Sequence, residues 1–135
     1  MSVVTLKVAD LRASLPALEK LRNQPKASPR LGFKMARNLR ELGAHIETLQ
    51  QQERAILTDT AELDEKGDFV FSDEAKTNIS LKDPQTYAAK MLELVNIDLD
   101  AHLSLLSEED LASVTVLSVQ DYLTLDYLLE KPAEA

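Results

Sequence analysis

Apolar residues recur at helical spacing almost from the start of the chain. Val8, Leu11, Leu15, Leu18 and Leu21 lie three or four residues apart and predict a helix over 8–22. Pro16 falls inside it, so the pattern predicts a kink or a division there. Residues 23–28 read as a loop, and Ser28-Pro29 as a helix start: the serine hydroxyl caps free amides, and proline suits the first helical position. Met35, Leu39, Leu42, Ile46, Leu49 and Ile56 then alternate by four and three, interrupted only by Glu53. That is a coiled-coil-like seam on a helix predicted from about 29 to about 63, roughly 50 Å long. Gly43 weakens that helix and is expected to mark a close helix contact.

Beyond residue 63 the spacing changes. Asp64-Glu-Lys-Gly-Asp68 reads as a helix-ending turn with Gly67 at positive φ; its oxygen spacing does not match a calcium loop. Phe69 and Phe71 flank Val70, and Ile79 and Leu81 flank Ser80, which predicts a small hairpin or extended arm. Asp83-Pro84 repeats the cap-plus-proline start. Tyr87, Ala88, Met91, Leu92 and Val95 offer one apolar face to a short helix. Ile97 and Leu99 alternate with Asp98 and Asp100 as an extended piece, and Val114 and Val116 suggest another. Ser107 with Asp110, and Ser118 with Asp121, have capping-box spacing, the second opening a helix to about Leu129. The expected fold is mainly α with a minor α+β part. A helical hairpin spans 8–63, a smaller acidic α+β portion spans 64–130, and a tail follows at 131–135, in one domain of 135 residues. The first helix is shorter than the second, so part of the seam needs another cover, supplied by the C-terminal half or by a second chain. Leu42, Ile46, Leu49 and Ile56 are the expected partner-binding residues, and a homo-oligomer is expected.

Charge changes the picture more than composition does. Residues 1–54 carry ten Lys or Arg and five Asp or Glu, a net +5; the remainder carries five and eighteen, a net −13. Such a division points to binding rather than chemistry. Lys26, Arg30, Lys34, Arg37 and Arg40 form a basic series near one helix face, and Glu108, Glu109 and Asp110 an acidic group. The basic face suits phosphates or an acidic protein surface. Yet aromatic residues make up only 4% of the chain, and its total charge is −8, which argues against nucleic acid. The carboxylates suit a basic groove.

Candidate chemistry is sparse. Asp98, Asp100 and His102 share one face of an extended segment and are credible ligands for a divalent metal, but no second ligand motif accompanies them. Cysteine is absent and there are three glycines, so thiol catalysis and phosphate-cradling glycine loops have no basis. No apolar run has the length of a membrane span or a signal peptide. The expectation is a non-enzymatic protein without a cofactor, cytoplasmic by default.

One resemblance adds to this. Lys34-Met-Ala-Arg-Asn-Leu-Arg-Glu-Leu-Gly-Ala-His-Ile-Glu-Thr-Leu49 is followed by Asp64-Glu-Lys-Gly-Asp68 and Lys82-Asp-Pro84. Leu92-Glu-Leu-Val95, Ile97-Asp-Leu-Asp100 and a closing Leu-Ser-Val-Gln-Asp-Tyr-Leu come next. In order and texture, residues from about 30 to about 130 resemble small proteins encoded by tailed bacteriophages and prophages. The resemblance implies a bacterial host cytoplasm or the virion as location, and a protein partner in virion assembly. The alternative is a small acidic inhibitor of a host defence or nucleic-acid-processing protein. No functional residue is transferred by it.

Overall fold

The computed structural model describes residues 2–23, 28–76, 78–112 and 114–130. Lys26 and the tail at 131–135, both singled out from the sequence, lie outside them. The fold is mainly α with a minor β part. A strand, β1 (Ser2–Lys7), runs directly into helix α1 (Val8–Arg22), and the long helix α2 (Pro29–Thr60) follows. Then come α3 (Pro84–Val95), β2 (Asp98–Leu103), the short helices α4 (Glu108–Leu111) and α5 (Val119–Thr124), and a 3-10 turn at Asp126–Leu128.

Local chemistry sets these limits. Ser28 Oγ accepts the Leu31 amide at 3.2 Å at the head of α2, with Pro29 in the first turn. Asp83 caps α3 through the Thr86 amide at 3.1 Å. Ser107–Asp110 and Ser118–Asp121 form the reciprocal capping boxes that their spacing predicts. Pro16 leaves α1 in one piece. Arg12, whose carbonyl loses its helical donor, and Pro16 are both exposed, so water can replace the missing bond.

β2 is the extended piece that alternation predicts, and its partner β1 is the part that periodicity does not reveal. β1 pairs antiparallel with β2 from Ser2 opposite Leu103 to Lys7 opposite Asp98. This ties the chain's start to a segment more than ninety residues away. Between α2 and α3 the chain makes a three-armed excursion. The Glu62 amide donates to the Ser80 carbonyl (2.9 Å), Ser80 to Val70 (2.7 Å) and Val70 back to Glu62 (3.0 Å), closing a ring of backbone bonds. The Asp64–Asp68 turn lies at one tip, with Gly67 at φ +82° and Asp64 Oδ1 accepting the Lys66 and Asp68 amides.

Two apolar clusters form the core. The larger joins Leu6, Leu11, Leu18, Leu31, Met35 and Leu42 to Leu103, Leu106, Leu125 and Leu128. The smaller joins Val8, Leu49, Ile56 and Leu94, with Tyr87 and Met91 against them. The seam is therefore closed from within. Met35, Leu42, Leu49 and Ile56 repeat every seven residues and are all buried, the first two in the larger cluster and the last two beneath α3. Leu39 and Ile46 are half-buried against the larger cluster. Glu53 interrupts the seam because it faces α1, where its Oε1 lies 2.6 Å from Arg12 Nε.

Several expectations are corrected. Gly43 marks no close contact, since a Cβ there would meet nothing within 4 Å. The buried face of α3 runs through Tyr87, Met91 and Leu94, while Leu92 and Ala88 face solvent, because the small cluster lies on that side. Val114 and Val116 lie outside any strand, and α5 stops at Thr124 rather than near Leu129.

Candidate interaction surface

The structure brings the two charged halves of the sequence together. Lys7 Nζ lies 3.0 Å from Asp98, and Lys20 Nζ 2.6 Å from Asp121. Arg30 Nε lies 3.1 Å from Asp110 Oδ1, and Lys34 Nζ 2.5 Å from Asp110 Oδ2. Each pair joins a cation from the first 54 residues to a carboxylate from the remainder. Much of the charge division thus orients the fold's own parts.

Asp110 is the centre of this pairing. Its side chain has no exposed surface. Burial alone would raise its pKa, but hydrogen bonds from Lys34 and from Ser107 outweigh it and bring the value down to about 2. Asp121 is also held below the ordinary carboxylate range, mainly by Lys20 and then by the Ser118 amide. Glu109 lies 3.8 Å from Arg30 and is itself exposed, like Glu108. The acidic group 108–110 therefore answers part of the basic series 30–40, and neither is wholly available as a separate surface. That corrects the reading of the two as independent patches.

The seam gives a second correction. Leu42, Leu49 and Ile56 are covered by this chain's own β2, α1 and α3, and Ile46 packs half-buried on the larger cluster. They are core residues rather than a face left for a partner. Periodicity identified the face but not its cover.

The metal candidate is also corrected. Asp98, Asp100 and His102 do alternate along β2, as their spacing predicts. However, Asp98 is bound by Lys7, Asp100 Oδ1 accepts the Thr5 hydroxyl at 2.6 Å, and the register sets His102 opposite Val3. Among the described residues no group of three or more His, Cys, Asp or Glu is placed to hold a metal ion.

What stays open is the outer face of α2 near its N-terminus. Phe33 is 77% exposed there, one turn from Arg37 and two from Arg40. Both arginines are exposed and make no ion pair or hydrogen bond within the described residues. An aromatic ring on a rigid helix, flanked by two guanidinium groups, is the composition that interface anchors favour. The sequence pattern points to the two arginines; the exposure of Phe33 beside them is visible only in the structure.

A second exposed surface is the three-armed excursion. Glu62, Asp64, Glu65 and Asp68 face solvent beside the exposed Leu63 and Phe71. Among the described residues no helix is long and apolar enough to cross a membrane. Compared with family models, with curated proteins and with solved structures, the chain matches none.

Proposed function

We propose that this is a non-enzymatic protein–protein interaction protein, phage-derived, acting in virion assembly or as a minor virion component. Its docking surface is the outer face of α2 around Phe33, Arg37 and Arg40. The grouping of exposed Phe33 with the exposed Arg37 and Arg40 on one side of α2 carries this reading: an aromatic ring beside guanidinium groups is the composition that interface anchors favour. The flanking arginines select an acidic patch on that partner and set its orientation.

The test is affinity capture of the tagged protein from a bacterial host during tailed-phage infection, beside a Phe33→Asp, Arg37→Glu variant. Capsid, portal or tail proteins should be recovered by the parent and lost by the variant. Equal recovery by both would remove the α2 face from the reading.

The exposed acidic arm favours a second reading, an inhibitor that occupies a basic groove of a host defence or nucleic-acid-processing protein. Its carboxylates at Glu62, Asp64, Glu65 and Asp68 are solvent-facing, unlike Asp110. Under this reading the captured protein is a host nuclease or immune complex. Charge reversal at Glu62 and Glu65 then releases it, whereas retention of the target would count against mimicry.

A further inference from the structure

β1 has a neighbour on one side only. The Val8 amide donates to the Ile97 carbonyl at 2.9 Å, which sets the phase of the ladder. Leu6, Val4 and Ser2 therefore turn their backbone groups toward β2, and Val3, Thr5 and Lys7 turn theirs away. Lys7 agrees with this phase, because its amide donates outward to Asp10 Oδ2 at 2.9 Å. The outward amides and carbonyls of Val3 and Thr5 have no partner among the described residues.

The opposite edge of the sheet is treated differently. On β2 the outward amide of His102 donates to Glu41 Oε1 at 3.1 Å. Just beyond the strand, Asn38 bonds both the amide and the carbonyl of Ser104, at 2.8 and 2.9 Å. Helix α2 thus closes one edge. The other carries no proline, and its one charged residue, Lys7, stands at the end of the strand beside Asp98.

A cavity of about 500 Å³ lies against this open edge. It is lined by Val4, Thr5 and Leu6 on one side and by Ala13, Leu123 and Tyr127 on the other. Successive side chains of a strand point to opposite faces, and the Thr5 hydroxyl is turned to Asp100. Val4 and Leu6 turn to the inner face of the sheet, so the cavity lies along that face of β1, between the strand and the α1 and α5 side chains. The inward side chains of a further strand added at this edge would lie beside it. Leu123 is 66% exposed at the site and Val3 is 62% exposed on the strand, apolar surface that such a strand would cover. Asp10 in the lining accepts the Lys7 amide through one carboxylate oxygen, and among the described residues no lysine or arginine lines the cavity.

We propose that the open edge of β1 binds an extended segment of a partner protein as an added strand. Apolar side chains at alternate positions enter the cavity, and a cationic side chain complements Asp10. The backbone of Val3 and Thr5 supplies the hydrogen bonds and the cavity supplies the selectivity, as in other cases of strand addition. This surface is separate from the α2 face, so the inference stands whether or not that face binds.

The probe is a labelled peptide of about seven residues alternating valine or leucine with lysine, enough to span β1. It is compared with two forms N-methylated on alternate residues, one for each edge of the peptide. Charge is the same in all three. Methylation of the edge that faces β1 should weaken binding about tenfold or more, and methylation of the other edge should have little effect. The Val3→Pro variant should lose the same factor with an unchanged thermal midpoint, because the Val3 amide has no internal acceptor to lose. Equal binding of both methylated forms would reduce the contact to charge attraction and overturn the proposal, as would no binding of the parent peptide. A doubled mass in light scattering that Val3→Pro abolishes would give the edge to a second copy of this chain and also overturn it.

Discussion

Lys34 Nζ and Asp110 Oδ2 meet at 2.5 Å, across 76 residues of sequence, where the aspartate has no exposed surface and the lysine little. The same lysine donates to the Leu105 carbonyl at 2.9 Å, and the other aspartate oxygen, buried, has Arg30 Nε at 3.1 Å without a well-formed hydrogen bond. The pair fixes the start of α2 against the α4 capping box, which uses the same carboxylate. A buried charge is costly when one partner is removed, so Lys34→Met should destabilise the protein by about 3 kcal/mol. Urea denaturation at neutral pH measures this. A loss below about 1 kcal/mol would show that Arg30 alone is sufficient.

The same aspartate gives the pH dependence its sign. Its folded pKa of about 2 lies below the unfolded value of 3.8. The unfolded chain therefore binds the proton more readily, and the stability contributed by the pair is present above pH 3.8. It is lost as pH falls from there toward about 2. Asp110→Asn should flatten the acid limb of a stability-against-pH curve in that window. An unchanged acid limb would mean that other carboxylates set it.

Asn38 is fully buried, and its amide spans the Ser104 amide and carbonyl like one rung of a sheet. Removing it leaves two backbone groups of the half-buried Ser104 without their partners. Asn38→Ala should cost about 3 kcal/mol, and Asn38→Asp a comparable amount, because an aspartate keeps the acceptor and loses the donor. Hydrogen exchange at Ser104 would accelerate in both variants. Protection that survives Asn38→Ala would mean that the Ser104 amide finds another acceptor.

The heptad row and the exposed ring on α2 predict opposite behaviour. Leu42 is completely buried, so Leu42→Ala should cost about 3 kcal/mol from lost transfer energy and a residual cavity. Phe33→Ala should change stability by less than about 0.5 kcal/mol, since the ring is already in water. Parallel denaturation curves test both. A large loss for Phe33→Ala would assign the ring to folding and weaken the docking reading.

Most of the helices and their starts are legible in the sequence because their determinants are local, whereas the end of α5 is not. Met35, Leu42, Leu49 and Ile56 announce a buried row by spacing alone, and Ser28, Asp83, Ser107 and Ser118 announce caps. What covers a row is not local. Nothing in the neighbourhood of Leu49 or Ile56 says that Leu94 will lie over them, and nothing around Lys34 points to Asp110. β1 escaped for the same reason. Ser2–Lys7 is too short to show a period, and the partner that makes it a strand is β2. The open edge follows from that pairing, so the surface with the clearest binding geometry was the least visible.

Gly43 gives a last test, and it separates packing from backbone entropy. In a coiled-coil-like seam a glycine suggests close approach of a neighbouring helix, and alanine there would clash. Here a Cβ at Gly43 meets nothing within 4 Å, and the residue sits inside α2 with ordinary helical backbone. The remaining effect of the substitution is on the unfolded chain, which alanine makes less flexible, and on helix propensity, which alanine improves. Gly43→Ala should therefore stabilise the protein by about 1 kcal/mol, seen as a raised urea midpoint with an unchanged slope. Destabilisation instead would mean that a second molecule approaches this part of α2 in solution. A concentration dependence of the midpoint, lost on substitution, would then identify that molecule as another copy of the chain.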